Sequence, residues 1–305
     1  MKFSFSKYVW FDGKFVLTNK AKVPVTTHAI HYGTSIFEGI RAYWNSENLH
    51  IFRLKEHVKR FRNSGKFYDI TLNFSDKQIE NAIINLCKKN KIKKSCYIRP
   101  FYFVGDYGIN LYVTKKAPTH VSIFSFHFGD LFNKKGITAT ISKWRKFSDM
   151  STPTQAKMGG NYLNSILATQ DAKQKGFDEA ILLDQHGNVS EAPGENIFLV
   201  KNNQVITPPL SSSALDGITR KSIITILRDM NIKIVIRKIR KNELNLADEV
   251  FLSGTAAEIT PVIKINKRKI GAGKVGNITK LLMTTYSNIV MNKSKKYSKW
   301  LTKVY

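Results

Sequence analysis

A lysine followed by two glycines and the start of a helix constrains this chain more than any other stretch. In Thr152-Pro153-Thr154-Gln155-Ala156-Lys157-Met158-Gly159-Gly160-Asn161-Tyr162, a proline-containing turn gives way to an apolar stripe at helical spacing, Leu163, Ile166 and Leu167. The backbone must turn and pass into helix within a few residues of Lys157. The two glycines leave room for a flat, bulky partner to lie against the main chain. A lysine held there away from water is what Schiff-base chemistry with an aldehyde cofactor requires. Read alone, a solvated lysine at a helix start explains the stretch more simply. The rest of the chain must decide.

With 305 residues the chain has room for two domains, each with its own core. Cys87 and Cys96 show no framework or metal-ligand spacing, which suits reduced, buried thiols in a reducing cytosol. No stretch approaches a membrane span and the first residues carry no long apolar run, so the expectation is a soluble, cytoplasmic protein with no membrane partner. The net charge of +27 invites a nucleic-acid reading. Basic residues are spread evenly, however, and no RNP1-like, zinc-finger or helix-turn-helix pattern accompanies them, so nucleic acid is disfavoured. The same field would gather anionic substrates.

In chain order, Tyr8–Phe11 and Lys14–Leu17 flank Asp12-Gly13 as a hairpin. The stretch from His28 to Arg41 mixes polar, small and aromatic residues without a clean period, as a site-lining segment does. His28 and His31 are spaced as a metal pair but lack a third ligand, so no metal is expected. Leu54 to Phe67 has helical spacing with a basic face that includes Arg60, and Ser75 with Gln78 is a capping box for a helix to about Lys89. Ser95 to Val104 reads as a strand, with Tyr97 and Arg99 on one face. That arginine needs a partner. Further strands are read at His120–Phe128, Gly136–Lys143, Glu179–Asp184, Ile197–Val200, Ile232–Ile239 and Glu249–Leu252, and helices from about Asn161 and from Thr219 to about Met230. Free N–H groups at the Gly217-Ile218-Thr219 helix start suit a phosphate, and the small residues Ser253 to Ala257 let backbone approach an anion.

One motif misleads. Gly271-Ala272-Gly273-Lys274-Val275-Gly276 fits G-x-G-x-x-G, but a dinucleotide site needs an acidic residue about 20 positions on. None occurs after Glu258.

Together these stretches resemble the branched-chain amino acid aminotransferases of class IV, the fold type IV pyridoxal-phosphate enzymes. The resemblance covers nearly the whole chain. It is carried by His31-Tyr32-Gly33-Thr34-Ser35-Ile36-Phe37-Glu38-Gly39-Ile40-Arg41, Tyr97-Ile98-Arg99-Pro100, Ala156 to Tyr162, Ser190-Glu191-Ala192-Pro193-Gly194-Glu195-Asn196, Gly217-Ile218-Thr219-Arg220 and Ser253 to Pro261.

It implies an α/β (α+β), two-domain, D-amino acid aminotransferase-like fold. A smaller N-terminal α/β domain would span residues 1–128, a connector 129–135 and a larger C-terminal α/β domain 136–305, with pyridoxal 5'-phosphate at the junction. Lys157 is implied as the Schiff-base lysine and proton shuttle, Glu191 as partner of the pyridine nitrogen and Tyr162 as partner of the phenolic oxygen. Arg60, Ile218, Thr219 and Thr255 would hold the phosphate, with Leu215 and Gly217 also on the cofactor side. Tyr97 and the backbone at Thr255, Ala256 and Ala257 would meet the substrate α-carboxylate. Tyr32, Phe37 and Tyr162 would wall the apolar pocket beside Gly39, and Arg99 would meet the γ-carboxylate of glutamate.

The implied activity is that of a branched-chain-amino-acid transaminase. It moves an amino group reversibly between L-glutamate/2-oxoglutarate and L-leucine, L-isoleucine or L-valine and their 2-oxo acids, the last step in the biosynthesis of those amino acids. The family implies a homodimer at least, with a homohexamer allowed, because one subunit's loop completes its partner's pocket. This chain departs from the pattern in a shorter connector from Phe128 to Gly136, with Phe128 and Leu131 where an aromatic pair is expected, and in Pro193. The rivals within the fold are D-amino acid aminotransferase and aminodeoxychorismate lyase. A nucleic-acid-binding protein on the same scaffold is the distant alternative.

Overall fold

Asp12 and Gly13 both take positive φ, 44° and 90°, as a two-residue hairpin turn matching the strand twist requires. They join β1 (Tyr8–Phe11) to β2 (Lys14–Leu17). The computed structural model describes residues 4–305. The chain packs as two units, one of Met1–Gly129, Ala156–Gly160 and Asn288–Tyr305, the other of Asp130–Gln155 and Asn161–Ser287.

In the first unit a short helix, α1 (His28–Tyr32), precedes β3 (Ser35–Phe37), β4 (Ile40–Trp44) and β5 (Leu49–Phe52). Two amphipathic helices follow, α2 (Leu54–Lys66) and α3 (Asp76–Lys89), and then β6 (Cys96–Val104) and β7 (Thr119–His127). Ser75 and Gln78 form the expected capping box at the start of α3. β6 pairs antiparallel with β3, β4 and β7, so it is the strand on which this sheet is assembled. Its residues alternate. Cys96, Ile98, Tyr102 and Val104 enter the core with Leu54, Val58, Phe61, Ile79, Ile83 and Leu86 of the two helices. Tyr97, Arg99, Phe101 and Phe103 occupy the other face. Phe61 is fully buried and meets Tyr102 edge-on at 4.7 Å.

Two stretches depart from a linear division of the chain. Met158 joins the first core and Phe37 N donates to Lys157 O, which draws residues 156–160 into that unit. The C-terminal strand Leu301–Lys303 pairs with β5, Leu301 opposite Phe52, which returns the last residues to the first sheet.

The second unit begins with β8 (Ile137–Arg145), followed by α4 (Tyr162–Gln174) and β9 (Glu179–Leu183). β10 (Asn196–Lys201) turns at Asn202 and Asn203 into β11 (Gln204–Thr207), and α5 (Ile218–Asp229) precedes β12 (Ile234–Ile236). The expected strand Ile232–Ile239 is thus cut to three residues. The hairpin of β13 (Glu249–Gly254) and β14 (Glu258–Ile265) is followed by β15 (Arg268–Lys269) and α6 (Asn277–Val290). The sheet runs β12-β11-β10-β13-β14-β8-β9, with β15 on β14, and β8–β9, β8–β14 and β11–β12 are parallel. Ile137, Ile181, Ile197, Leu199, Leu244, Val250, Leu252 and Val262 lie in its core. The glycine-rich stretch before α6 takes no phosphate role. The Glu249 carboxylate already accepts from Ile278 N at 3.0 Å and Thr279 N at 2.7 Å, occupying the N–H groups an anion would use.

Phe61→Ala empties a fully enclosed site and should cost about 3–5 kcal/mol of stability, read from the shift of a urea unfolding curve. Phe61→Leu should cost less than Phe61→Ala.

Candidate active site

The close approach of two glycine segments sets Lys157 in place. Gly160 N donates to Gly33 O, and a Cβ on Gly159 would overlap the Ser35 hydroxyl. Ile36 bridges Met158, Lys157 N donates to Ser64 Oγ of α2 at 3.0 Å, and Phe37 N donates to Lys157 O at 3.1 Å. The ammonium lies over the Phe37 ring, 4.7 Å from its centroid. Burial drives the Lys157 pKa down to about 8, with the Arg60 and Arg99 charges adding to it and Glu38 and Tyr97 opposing. The sequence-derived lysine is thus a tuned amine.

Arg60 does not stand alone on α2. Its Nε donates to Glu38 Oε1 at 2.6 Å and its Nη2 to Glu38 Oε2 at 2.9 Å, a bidentate pair. His57 Nδ1, one turn earlier, lies 2.7 Å from Glu38 Oε2. Glu38 has no solvent exposure. Burial alone would raise its pKa, but the Arg60 and His57 interactions outweigh it and hold the carboxyl far below the ordinary range. Burial lowers the His57 pKa, against the pull of Glu38, so the ring is neutral and donates through Nδ1. Sequence reasoning gives Glu38 and His57 no role. A glutamate within an apolar strand pattern is the signal that could have found the first.

Across β6, Tyr97 and Arg99 share the face opposite the core, as their spacing requires. Gly39 admits the Tyr97 side chain, since a Cβ there would overlap its hydroxyl. Arg99 packs on the Phe37 ring at 4.5 Å and donates to the Tyr97 hydroxyl at 3.4 Å. Its buried Nε has no hydrogen-bond partner and the guanidinium no ion-pair partner among the described residues. An unpaired buried donor of this kind is costly unless something else satisfies it. Arg41 lies against Phe128, 5.3 Å from the ring, beside Tyr97. Tyr32 is placed differently. It is 40% exposed at the end of α1, its hydroxyl donating to Ile109 O, and it does not join Phe37 in enclosing Lys157.

The histidines of α1 are engaged in hydrogen bonds. His28 Nδ1 lies 2.8 Å from Thr34 Oγ1 and its Nε2 3.1 Å from Asn110 O, while His31 Nε2 lies 2.9 Å from Val25 O. No group of three His, Cys, Asp or Glu residues among those described could hold a metal ion.

The second unit carries the other expected residues. Glu191 follows β9 and is buried. Its Oε2 accepts from Leu215 N at 3.0 Å and Asn196 Nδ2 at 3.1 Å, and its Oε1 lies 2.7 Å from Lys146 Nζ. Tyr162 opens α4. Gly217 is the N-cap of α5 and offers no side-chain cap, so the first-turn N–H groups at Ile218 and Thr219 lack a side-chain acceptor. Thr255, Ala256 and Ala257 form the three-residue turn of the β13–β14 hairpin, closed by the Gly254–Glu258 pair. Sequence reasoning misses Lys146 and Asn196. One lysine among so many carries no local signal.

Each unit by itself carries donors that suit a phosphorylated aldehyde: the first an amine at about 8 and an arginine held in orientation, the second a helix N-terminus without a side-chain cap and a buried carboxylate. Comparison with known proteins agrees. Residues 35–265 match the family model for amino-transferase class IV. The chain is similar to a probable branched-chain-amino-acid aminotransferase of Aquifex aeolicus, 43% identical over 98% of this chain and 97% of that one. It is 40% identical to the branched-chain-amino-acid aminotransferase of Escherichia coli K12, over 97% of each chain. Among solved structures it is similar to the branched-chain aminotransferase of Thermoproteus uzoniensis with norvaline, at a TM-score of 0.96 and 40% identity over 98% and 100% of the two chains. It is also similar to a T.th. branched-chain amino acid aminotransferase complexed with N-(5'-phosphopyridoxyl)-L-glutamate, at a TM-score of 0.95 and 40% identity over 98% and 99%.

At a pKa of about 8, about one Lys157 amine in ten is uncharged at pH 7, against about one in 2,500 for an ordinary lysine. In cofactor-free protein, labelling of Lys157 by an amine reagent, followed by mass spectrometry, should rise through a midpoint near pH 8. Arg60→Met should move that midpoint upward, because it removes a charge that disfavours the ammonium.

Proposed function

Because the chain belongs to the class IV aminotransferase family, we propose that its two clusters serve one reaction, pyridoxal-phosphate-dependent amino transfer between L-glutamate and the branched-chain 2-oxo acids. It is a branched-chain-amino-acid transaminase, completing leucine, isoleucine and valine synthesis and running in reverse on the same groups. The observation that carries the residue assignment is the pair of cations on Phe37: the Lys157 ammonium at 4.7 Å and the Arg99 guanidinium at 4.5 Å from one ring. A reactive amine and an unpaired anion receptor share one apolar wall.

When bound, pyridoxal phosphate supplies an electrophilic carbon for the substrate amine and a ring that accepts the electron pair left when Cα–H breaks. In our reading Lys157 Nζ would hold the cofactor aldehyde and, as a free amine, would take the proton from substrate Cα and deliver it to the cofactor carbon that bears the transferred nitrogen. Its pKa of about 8 leaves far more of it uncharged at neutral pH than an ordinary lysine has. Arg60, Ile218, Thr219 and Thr255 hold the phosphate, the last three by backbone N–H and hydroxyl groups, and Leu215 and Gly217 shape that turn. Glu191 would pair with the pyridine nitrogen and Tyr162 with the phenolic oxygen. Tyr97 with Thr255, Ala256 and Ala257 receives the α-carboxylate, Phe37 and Gly39 bound the side-chain space, and Arg99 takes the γ-carboxylate of glutamate.

We assign Tyr32 to a partner subunit's pocket in a homodimer or a larger homo-oligomer. Ile109, Leu111 and Tyr112 are 82%, 78% and 75% exposed, Val25 and Ile30 are also exposed, and the Tyr32 hydroxyl donates to Ile109 O. An apolar patch of this kind is covered in most soluble proteins. No helix among the described residues is long and apolar enough to cross a membrane, and we place the enzyme in the cytoplasm.

Purified protein loaded with pyridoxal phosphate should show a visible absorption band that L-glutamate bleaches and 2-oxoisocaproate restores, whereas D-alanine has no effect. Response to D-alanine alone would move the chain to D-amino acid transfer. Lys157→Ala should abolish the cycle. Arg99→Leu should raise KM for L-glutamate by about tenfold or more and leave KM for L-leucine within about threefold, since only glutamate carries the second carboxylate.

A further inference from the structure

Lys146 lies just beyond the end of β8, where its backbone N–H still donates to Leu183 O at 2.9 Å and so extends the β8–β9 ladder by one step. Its ammonium is nearly enclosed, at 12% side-chain exposure, and its ion-pair partner is Glu191 Oε1 at 2.7 Å. Burial works against the Lys146 charge, but the Glu191 carboxylate outweighs it and holds the group above its ordinary value, with Tyr162 contributing in the same direction.

The acceptor count on Glu191 gives this pair its meaning. A carboxylate offers about four lone-pair sites. Three are taken, one on Oε1 by Lys146 and two on Oε2 by Asn196 Nδ2 and Leu215 N. One is left, and an N–H of a ring nitrogen needs one. The two donors on Oε2 come from β10 and from the turn ahead of α5, and both are neutral. Neither brings a charge to the carboxylate as the Lys146 ammonium does. Leu215 N, Asn196 and Lys146 also approach from three separate segments of the second unit, so the plane of the carboxylate is fixed in rotation.

We propose that Lys146 is a positioning residue for the cofactor ring: its ion pair on Oε1 holds the Glu191 carboxylate turned so that its one remaining acceptor site meets the pyridine N–H. This rests on the reading of Glu191 as the ring-nitrogen partner. It gives a role to a residue outside the motifs by which the chain was first read.

A pair of cofactors that differ only at the ring nitrogen tests it. Full-length protein stripped of cofactor is titrated with pyridoxal 5'-phosphate and with its 1-deaza analogue, in which that nitrogen is a C–H, and Kd is read from absorbance and fluorescence. Lys146→Met should weaken pyridoxal-phosphate binding by about tenfold and change the Kd of the deaza analogue by less than about twofold, while Lys146→Arg should keep the wild-type ratio of the two. Should Lys146→Met fail to fold, Lys146→Gln is read in the same way. Equal weakening of both ligands would reduce Lys146 to a structural role, and no weakening of either would remove the proposal. Glu191→Ala separates the two levels. If it leaves the preference for pyridoxal phosphate intact, the Glu191 assignment itself fails. If it abolishes the preference while Lys146→Met does not, only the role of Lys146 fails.

Discussion

A carboxylate with no access to water, Glu38, has to be neutralised within the protein, and much of the first unit is arranged around that need. A buried ion whose partner is removed costs about 3–5 kcal/mol, so Arg60 and His57 are committed to Glu38 before they can serve anything else. That commitment orients the guanidinium and fixes α2, whose next turn presents Ser64 to the backbone of Lys157. The second unit repeats the logic with Glu191 and Lys146. Charge balance also explains why Arg99 stands apart: it sits among aromatic rings with no acid of its own. At Glu38 and Glu191 the chain supplies the cation itself, whereas the Arg99 guanidinium has no ion-pair partner among the described residues.

Much of this is legible in the sequence, for identifiable reasons. The Asp12–Gly13 hairpin, the Ser75–Gln78 box and the alternation along β6 are local rules, and local rules survive folding. The helix after Lys157 and the glycines before it follow from spacing alone. What escapes are pairings between residues far apart in sequence. Glu38 and Arg60 are separated by 22 positions. Lys146 and Glu191 are farther apart still, in a chain where lysine is too common to notice. The aperiodic stretch from His28 to Arg41 resolves into a five-residue helix and two strands, too short for any period to be expressed. β12 is shorter than its apolar run, and the C-terminal strand is not foreseen, because its place is set by pairing with β5.

The glycine-rich segment before α6 shows how a motif can be right in letters and wrong in physics. Spacing alone fits a phosphate loop, but the N–H groups that would bind the anion are occupied by Glu249, an acid supplied by β13. At α5 the opposite holds, and the helix start lacks a side-chain cap. Whether a helix end can take a ligand depends on what the chain has already placed there.

The alternation along β6 sets where this protein can tolerate changes in length. One face of that strand carries Ile98, Tyr102 and Val104 into the core, and the other carries Tyr97 and Arg99 to the side where Arg99 packs on Phe37. Inserting or deleting a single residue there would exchange the two sets, placing an arginine in the apolar interior and an isoleucine against the Phe37 ring. Stability and specificity would be lost in one event. Between β7 and β8 no such alternation is enforced, so loop growth and shrinkage are far less costly there. The short stretch from Phe128 to Gly136 is where the chain can change length without exchanging the two faces of a strand.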